Sequence, residues 1–303
     1  MITIGSRGSQ LALWQARWIE VRLNALGETC RIEIIKTTGD KITDVPLAGI
    51  GGKGLFTKEI EEALVRGSID LAVHSLKDVP SILPSGLTLT AIPEREDVRD
   101  ALVGRRLADL AEGAVVGTSS LRRGAQLRAL RPDVRIETLR GNLDTRLRKL
   151  DAGQYDAIVL AAAGLRRLGW ADRITELVPV EVLCPAAGQG ALAVETRDDG
   201  GHAARLCGQL NHADSRAAVT AERAALATLG GSCQVPIGAY AEVREGRLRL
   251  RAVVITPDGT RAVRGEESGP ASAAEAVGHA LGERLLRAGA REILAAVNAA
   301  PVP

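Results

Sequence analysis

Short apolar stretches that end in turns of small hydroxyl residues and arginine, and then enter helices, recur along this chain and direct it toward an α/β architecture. The fullest instance is Gly117-Thr118-Ser119-Ser120-Leu121-Arg122-Arg123. Val115 and Val116 read as the end of a buried strand and Leu121 to Leu130 as a helix, with Ser119 or Ser120 in the capping position. Helix-start N–H groups, hydroxyls and two guanidinium forks would converge there on a carboxylate or phosphate. Further arginines follow at 128, 131, 135, 140, 146 and 148, against Asp133, Glu137 and Asp144. A solvated basic helix face is the competing reading. Hydroxyls and paired arginines coinciding at a strand-to-helix junction favour the anion site.

Gly5-Ser6-Arg7-Gly8-Ser9 repeats the design between a strand at residues 2–6 and a helix from Leu11 to Leu26, which the spacing gives one face of Trp14, Trp18 and Val21. A strand at Arg31 to Lys36 precedes Gly51-Gly52-Lys53-Gly54 and a helix from Leu55 to Val65. Glycine there would let backbone approach a ligand beside the Lys53 charge, and a tight turn with a solvated lysine explains the stretch equally well. Ile69 to Val73 reads as a strand running into His74-Ser75-Leu76-Lys77-Asp78-Val79-Pro80. By themselves Lys77 and Asp78 read as a surface pair before proline.

Charged residues from Glu94 to Asp100 mark a crossing into a second β/α series. Its strands are expected at Ala114 to Thr118, Val134 to Leu139 and Tyr155 to Leu160, and its helices at Leu121 to Leu130 and Leu143 to Asp151. Arg140-Gly141-Asn142 follows a strand, with Arg146 about one helical turn beyond and Arg166 and Arg167 later. Pro185 to Gly190 has hinge composition, and Ala191 to Thr196 reads as a further strand. Two α/β lobes with arginine-bearing loops suggest an anionic ligand held between them. An alanine-rich helix from Ser215 to Leu229, a loop Gly230-Gly231-Ser232-Cys233-Gln234-Val235-Pro236, a strand at Leu248 to Ile255 and a helix at Ala271 to Ala288 make a separate α+β unit.

With 303 residues the chain has room for two or three domains. A net charge of +2 makes the basic stretch a local feature, and only Trp14, Trp18, Trp170, Tyr155, Tyr240 and Phe56 could stack on bases. No nucleic-acid partner is expected. Cys30, Cys184, Cys207 and Cys233 form no Cys-x-x-Cys pair and no leader is evident, so reduced thiols and a cytoplasmic location are expected. Ala157 to Leu165 is the longest apolar stretch, far short of the ~20 residues of a membrane helix. No metal is expected either, since His202, Cys207 and His212 read as ordinary helix residues.

Glu222-Arg223, followed by Gly-Gly-Ser-Cys233-Gln-Val-Pro-Ile-Gly, resembles the signature of the porphobilinogen deaminase (hydroxymethylbilane synthase) family around its cofactor-bearing cysteine. His74 to Pro80, Gly117 to Arg123, Arg140 to Asn142 and Gly188-Gln189-Gly190 match in the same order, so the resemblance covers essentially the whole chain. It implies an α/β fold of two periplasmic-binding-protein-like lobes plus a small α+β carboxyl-terminal domain. The implied boundaries are 1–94 with 190–212, 95–189, and 213–303. The implied reaction joins four porphobilinogen molecules head to tail with loss of ammonia, on a covalent dipyrromethane cofactor held by a thioether to Cys233. A cysteine thiolate is chemically suited to add to the cationic azafulvene that ammonia loss leaves.

The resemblance further assigns the cofactor to Lys77, Ser75, Thr118, Ser120, Arg122, Arg123, Arg140, Asp40 and Lys53. Substrate falls to Arg7, Ser9, Gln15, Arg146, Arg167 and Gln189, and Asp78 becomes the catalytic anion that stabilises positive charge on a pyrrole. A monomer without a metal is the family expectation. Many members carry lysine where this chain has Gly49, which leaves Lys53 as the lysine of that segment. The rival reading is a two-lobed binding protein for a carboxylate or phosphate ligand, without catalysis. It accounts for the anion sites but not for Cys233 or for Asp78 among cations.

Overall fold

A computed structural model describes residues 1–41, 54–230 and 235–299. The chain runs β1 (Ile2–Ser6), α1 (Gln10–Ala25), β2 (Cys30–Ile34), α2 (Thr38–Lys41), α3 (Lys58–Val65), β3 (Leu71–Ser75) and β4 (Leu87–Ala91). It continues through β5 (Asp100–Val103), β6 (Val115–Gly117), α4 (Leu121–Leu130), β7 (Arg135–Glu137), α5 (Leu143–Asp151), β8 (Ala157–Ala161), α6 (Ala162–Arg167) and β9 (Glu176–Leu177). Then come β10 (Leu192–Arg197), α7 (His202–Gly208), α8 (Ala213–Thr228), β11 (Ile237–Arg244), β12 (Arg247–Ile255), β13 (Ala262–Pro270), α9 (Ala274–Leu285) and α10 (Arg291–Ala299).

Among these residues one compact unit comprises 1–41, 54–96 and 190–216, and the other holds 97–189, 217–230 and 235–299. The sheet of the first has strand order β2-β1-β3-β10-β4, with β2, β1 and β3 parallel and β10 antiparallel to both its neighbours. The second unit repeats this strand for strand as β7-β6-β8-β5-β9, with β5 as its antiparallel member. In each sheet the antiparallel strand opens the chain segment that follows a crossing. The second unit also contains an antiparallel sheet, β11-β12-β13, so the architecture is α/β with a small carboxyl-terminal α+β part.

Side-chain alternation along β3 determines what lies on each face of the first sheet. Leu71 and Val73 join Ile2, Ile4, Ala16, Ile19 and Leu23 in a core under α1, whereas Ala72 packs with Ile60, Ala63 and Leu64 of α3. In the carboxyl-terminal part α9 approaches α8 through Gly278 and Gly282, where a Cβ would collide with the Ala221 carbonyl and with Thr228.

The α4 and α5 helices coincide with their expected bounds, and β1 with its own. Other details differ. The buried face of α1 is Ala12, Gln15, Ala16, Ile19 and Leu23, while Val21 is exposed and Trp18 lies against the Arg22 guanidinium. The α3 helix starts at Lys58 rather than Leu55, because Gly54 takes a positive φ of 81° and Thr57 is the residue before the first turn. The helix expected at Ala271 to Ala288 is α9 with a short turn on either side, and Gly289, at φ 105°, lies one residue past it and separates it from α10, which was not expected.

Candidate active site

The carboxyl ends of the parallel strands β2, β1 and β3 share one edge of their sheet, the edge at which open α/β sheets bind ligands. Arg7 and Ser9 leave β1 there, and Ser75, Lys77 and Asp78 leave β3. Ser9 caps α1, its hydroxyl accepting the Ala12 N–H at 3.3 Å. The Arg7 guanidinium sits 4.2 Å from the centre of the Phe56 ring, a cation–π contact. Sequence reasoning missed Phe56, whose only visible signal was its place at the start of the helix after the glycine turn.

Buried Gln15 donates from Nε2 to Ser75 Oγ at 2.8 Å, which ties α1 to the end of β3. The chain then makes a single 3₁₀ turn, Leu76–Asp78, anchored by buried Leu76, whose N–H donates to the Ala191 carbonyl at 3.0 Å. Leu76 points inward, Lys77 is half-buried and the Asp78 carboxylate is exposed at the tip. Asp40 falls within α2, after β2 on the same edge. Lys53, Gly49 and Cys233 lie outside the described residues.

Parallel β6, β7 and β8 present a corresponding edge in the second sheet, carrying Thr118 and Ser120, Arg140 with Arg146, and Arg167. Thr118 Oγ1 accepts the Ser120 N–H at 3.2 Å, and Ser120 Oγ accepts the Arg123 N–H at 3.4 Å as the α4 cap. Each hydroxyl thus spends a lone pair on the turn and keeps its hydrogen for a ligand. Ser119 Oγ donates to the Leu139 carbonyl at 2.6 Å, holding the β6 turn against the one after β7.

Arg122 and Arg123 point inward. They are 6% and 5% exposed, and between them lies the wholly buried Asp100 at the start of β5. Arg122 donates to both Asp100 oxygens, at 2.7 and 3.2 Å, and to the Cys184 carbonyl at 2.7 Å. Arg123 Nε donates to Asp100 Oδ1 at 2.9 Å and Nη1 to the Val159 carbonyl at 3.1 Å. Gln189 Nε2 reaches the same Oδ1 at 2.9 Å and the Val98 carbonyl at 2.7 Å. Burial would raise the Asp100 carboxyl, but the charges and hydrogen bonds of the two arginines hold it far below the usual carboxylate range. Two guanidinium charges around one carboxylate leave the cluster net positive, so it still favours an anion.

Asp100 was not singled out from the sequence, where it closes a charged crossing. Its antiparallel pairing opposite Ala161 is what brings it to this edge.

Arg140 stands at the end of the β7 connection, and its Nη1 is buried with no hydrogen-bond partner. Beside it Gly141 takes φ 112°, a conformation suited to glycine, and a Cβ there would strike Thr145. Arg146 Nε donates to the Gly141 carbonyl at 2.7 Å, fixing the start of α5. Arg167 is half-buried in the last turn of α6. Glu222, of the signature preceding Cys233, is buried and accepts the Gly188 and Ala241 N–H groups, each at 2.7 Å. It thereby ties Gly188 to β11. Among the described residues no group of His, Cys, Asp and Glu could hold a metal ion, and no helix is long and apolar enough to cross a membrane.

A 220 Å³ cavity lined by Met1, Ile2, Asp70, Asp199 and His202 adjoins the amino ends of β1 and β3, so it lies at the opposite edge of the sheet from Asp78.

Two family models match: the porphobilinogen deaminase dipyromethane cofactor binding domain over residues 2–205, and the porphobilinogen deaminase C-terminal domain over residues 216–287. Porphobilinogen deaminase of Chromobacterium violaceum is 55% identical over 99% of both chains. The protein of the same name from Thiobacillus denitrificans is 54% identical, covering 98% of this chain and 99% of its own. A solved periplasmic substrate-binding protein of an ABC transporter from Coxiella burnetii aligns with 69% of the chain at 14% identity and a TM-score of 0.44, too weak a likeness to add to the sheet order. With both family models and full-length relatives in agreement, the chain belongs to the porphobilinogen deaminase family.

Proposed function

We propose that the protein is a transferase that joins four porphobilinogen molecules head to tail, with release of ammonia, to give hydroxymethylbilane. Family membership supports the reaction. The observation that carries its assignment to these loops is the buried, unpartnered Nη1 of Arg140. A guanidinium donor without an acceptor is costly, and a carboxylate of a pyrrole acid supplies the acceptor in a paired geometry. The dipyrromethane expected of this family fits such a donor set, because each of its rings carries two carboxylates.

When bound, the dipyrromethane supplies the pyrrole terminus to which substrate units are added. Ser75, Lys77, Thr118, Ser120, Arg122, Arg123, Arg140, Asp40 and Lys53 would hold it, with Cys233 providing the thioether sulfur. Arg122 and Arg123 act largely through the positive field of their cluster, since Asp100 engages their forks. Arg7, Ser9, Gln15, Arg146, Arg167 and Gln189 would receive or orient substrate. Gln15 and Gln189 do so by positioning, through Ser75 and Asp100 respectively. Asp78, exposed at the tip of its turn, faces the positive charge that develops on a pyrrole as ammonia leaves. The three-domain division at 94/95, 189/190 and 212/213, a cytoplasmic location and a monomeric state complete the proposal. The separate sheets and the break between the two family models support the division.

Arg140→Lys tests the assignment. Lysine keeps the charge and loses the fork, so turnover should drop about 10- to 100-fold while the melting curve is retained. Arg287→Lys, on an exposed side chain paired only at 3.4 Å with Glu283, should leave turnover within about twofold. Equal losses in both variants would return these arginines to the role of solvated surface charge.

A further inference from the structure

The face of β3 that carries Ala72 also carries His74, beneath the turn that ends in Asp78. His74 is buried, and its Nε2 lies 3.0 Å from Oε2 of the wholly buried Glu195 on β10. The antiparallel register sets Glu195 opposite Ala72 and Ala193 opposite His74, so His74 and Glu195 are diagonal neighbours on one face. The α3 helix packs on this face, against β3 and β10, and carries the buried Glu61.

Two carboxylate oxygens there, Glu61 Oε1 and Glu195 Oε1, are buried without a hydrogen-bond partner. Two ionised carboxylates with one imidazole would leave like charges facing one another in a dry site. A proton on Glu61 removes that conflict and adds a donor where acceptors are in excess. The charge balance agrees: burial pushes the Glu61 carboxyl up, and the Glu195 charge adds to it against the opposing effects of Thr57 and His74.

We propose that Glu61, His74 and Glu195 form a buried triad in which Glu61 is held as the neutral acid beside the His74–Glu195 pair, and that the triad positions the end of β3 and the Ser75 to Asp78 turn for the reaction. These are positioning residues. His74 adjoins Ser75 in the chain, Glu195 lies on the strand that flanks β3, and α3 follows the glycine-rich segment. A change of charge among them is therefore felt at the turn through backbone rather than through contact with substrate.

The other elements packed on α3 bring little competing charge. Neither β1 nor β4 carries a titratable side chain, and Arg197 of β10 is committed to the Leu64 and Ile69 carbonyls, at 3.0 and 2.8 Å, and to Asp70 and Asp199. On α3 itself Lys58 and Glu62 are exposed and Glu59 accepts the Thr38 N–H.

Because the Glu61 carboxyl is raised in the folded protein, its contribution to stability is present at low pH and fades as pH climbs through the raised value. Glu61→Gln keeps a donor and cannot ionise. The test compares wild type, Glu61→Gln and Glu61→Ala by melting temperature and by kcat and KM across about pH 5 to 9. Wild type should lose melting temperature and kcat toward the alkaline end relative to Glu61→Gln, whose profile should be flatter. Glu61→Ala, which lacks the donor, should lose about tenfold in kcat with little change in KM.

A Glu61→Gln protein that reproduces the wild-type pH slope, or that falls as far as Glu61→Ala at every pH, would overturn the proposal. If Glu61→Ala does not fold, the slopes of wild type and Glu61→Gln decide it. The kinetic readout rests on the deaminase reading and the melting readout does not, so absence of porphobilinogen turnover in wild type would defeat that reading while the melting slopes still judge the triad.

Discussion

An Asp78→Asn protein should fold as the wild type does and turn porphobilinogen over about 10²- to 10³-fold more slowly. The first half of this expectation follows from position. Leu76 anchors the 3₁₀ turn in the core and Asp78 projects from its tip, exposed, so removing its charge leaves the packing untouched. The second half follows from chemistry. Ammonia departs from an aminomethylpyrrole with build-up of positive charge on the ring, in a site whose other groups are selected for anions. In the proposed role the fixed Asp78 carboxylate lowers the barrier by stabilising that charge, and asparagine keeps its size but not its charge. The measurement is turnover of primed protein, with circular dichroism and intact mass as controls. Near-normal turnover in a folded, primed variant would move the catalytic role elsewhere.

Replacing Asp100 by Asn should have the largest effect on stability. The carboxylate sits wholly buried between two buried guanidinium groups, and removing its charge leaves both without compensation. Breaking a buried ion pair in this one-sided way costs about 3–5 kcal/mol. Chemical denaturation should show it as a shifted midpoint at unchanged slope. The pH dependence has a defined sign: the folded carboxyl lies below its unfolded value, so the stabilisation is complete above the ordinary carboxylate range and is lost as pH falls toward the depressed folded value. The variant should lack that acid-side loss. A change below about 1 kcal/mol would mean that the cluster carries no such coupling.

The repeated junctions were legible because each rests on local physics. Ser120 caps α4 and Gly141 permits the turn before α5, and both helices begin where hydroxyl, glycine and apolar periodicity place them. What local pattern could not supply was pairing across the chain. β5 and β10 join their sheets antiparallel from distant segments, and that pairing alone turns Asp100 toward Arg122 and Arg123 and Glu195 toward His74. Hence the two arginines read as outward forks in sequence and prove inward-facing in the fold. The face of α1 was misread because the large Trp18 and Val21 weigh more in an apolar count than Ala12 and Ala16, although close approach to the sheet favours the small residues. Strand β13 was not expected because Arg264, Glu266, Glu267 and Ser268 leave it little apolar pattern, and β11 because the small residues Gly238, Ala239 and Ala241 fill much of it.

The most direct test of the central reading is the intact mass of the purified protein, followed by peptide mapping and incubation with porphobilinogen. The sequence mass is 31.8 kDa. The expected result is a mass exceeding the sequence by a dipyrromethane, located on the peptide containing Cys233 and absent from those containing Cys30, Cys184 and Cys207, in protein that releases ammonia from porphobilinogen. A Cys233→Ala protein that retained both the adduct and turnover, or a wild type of bare sequence mass that was fully active, would contradict it.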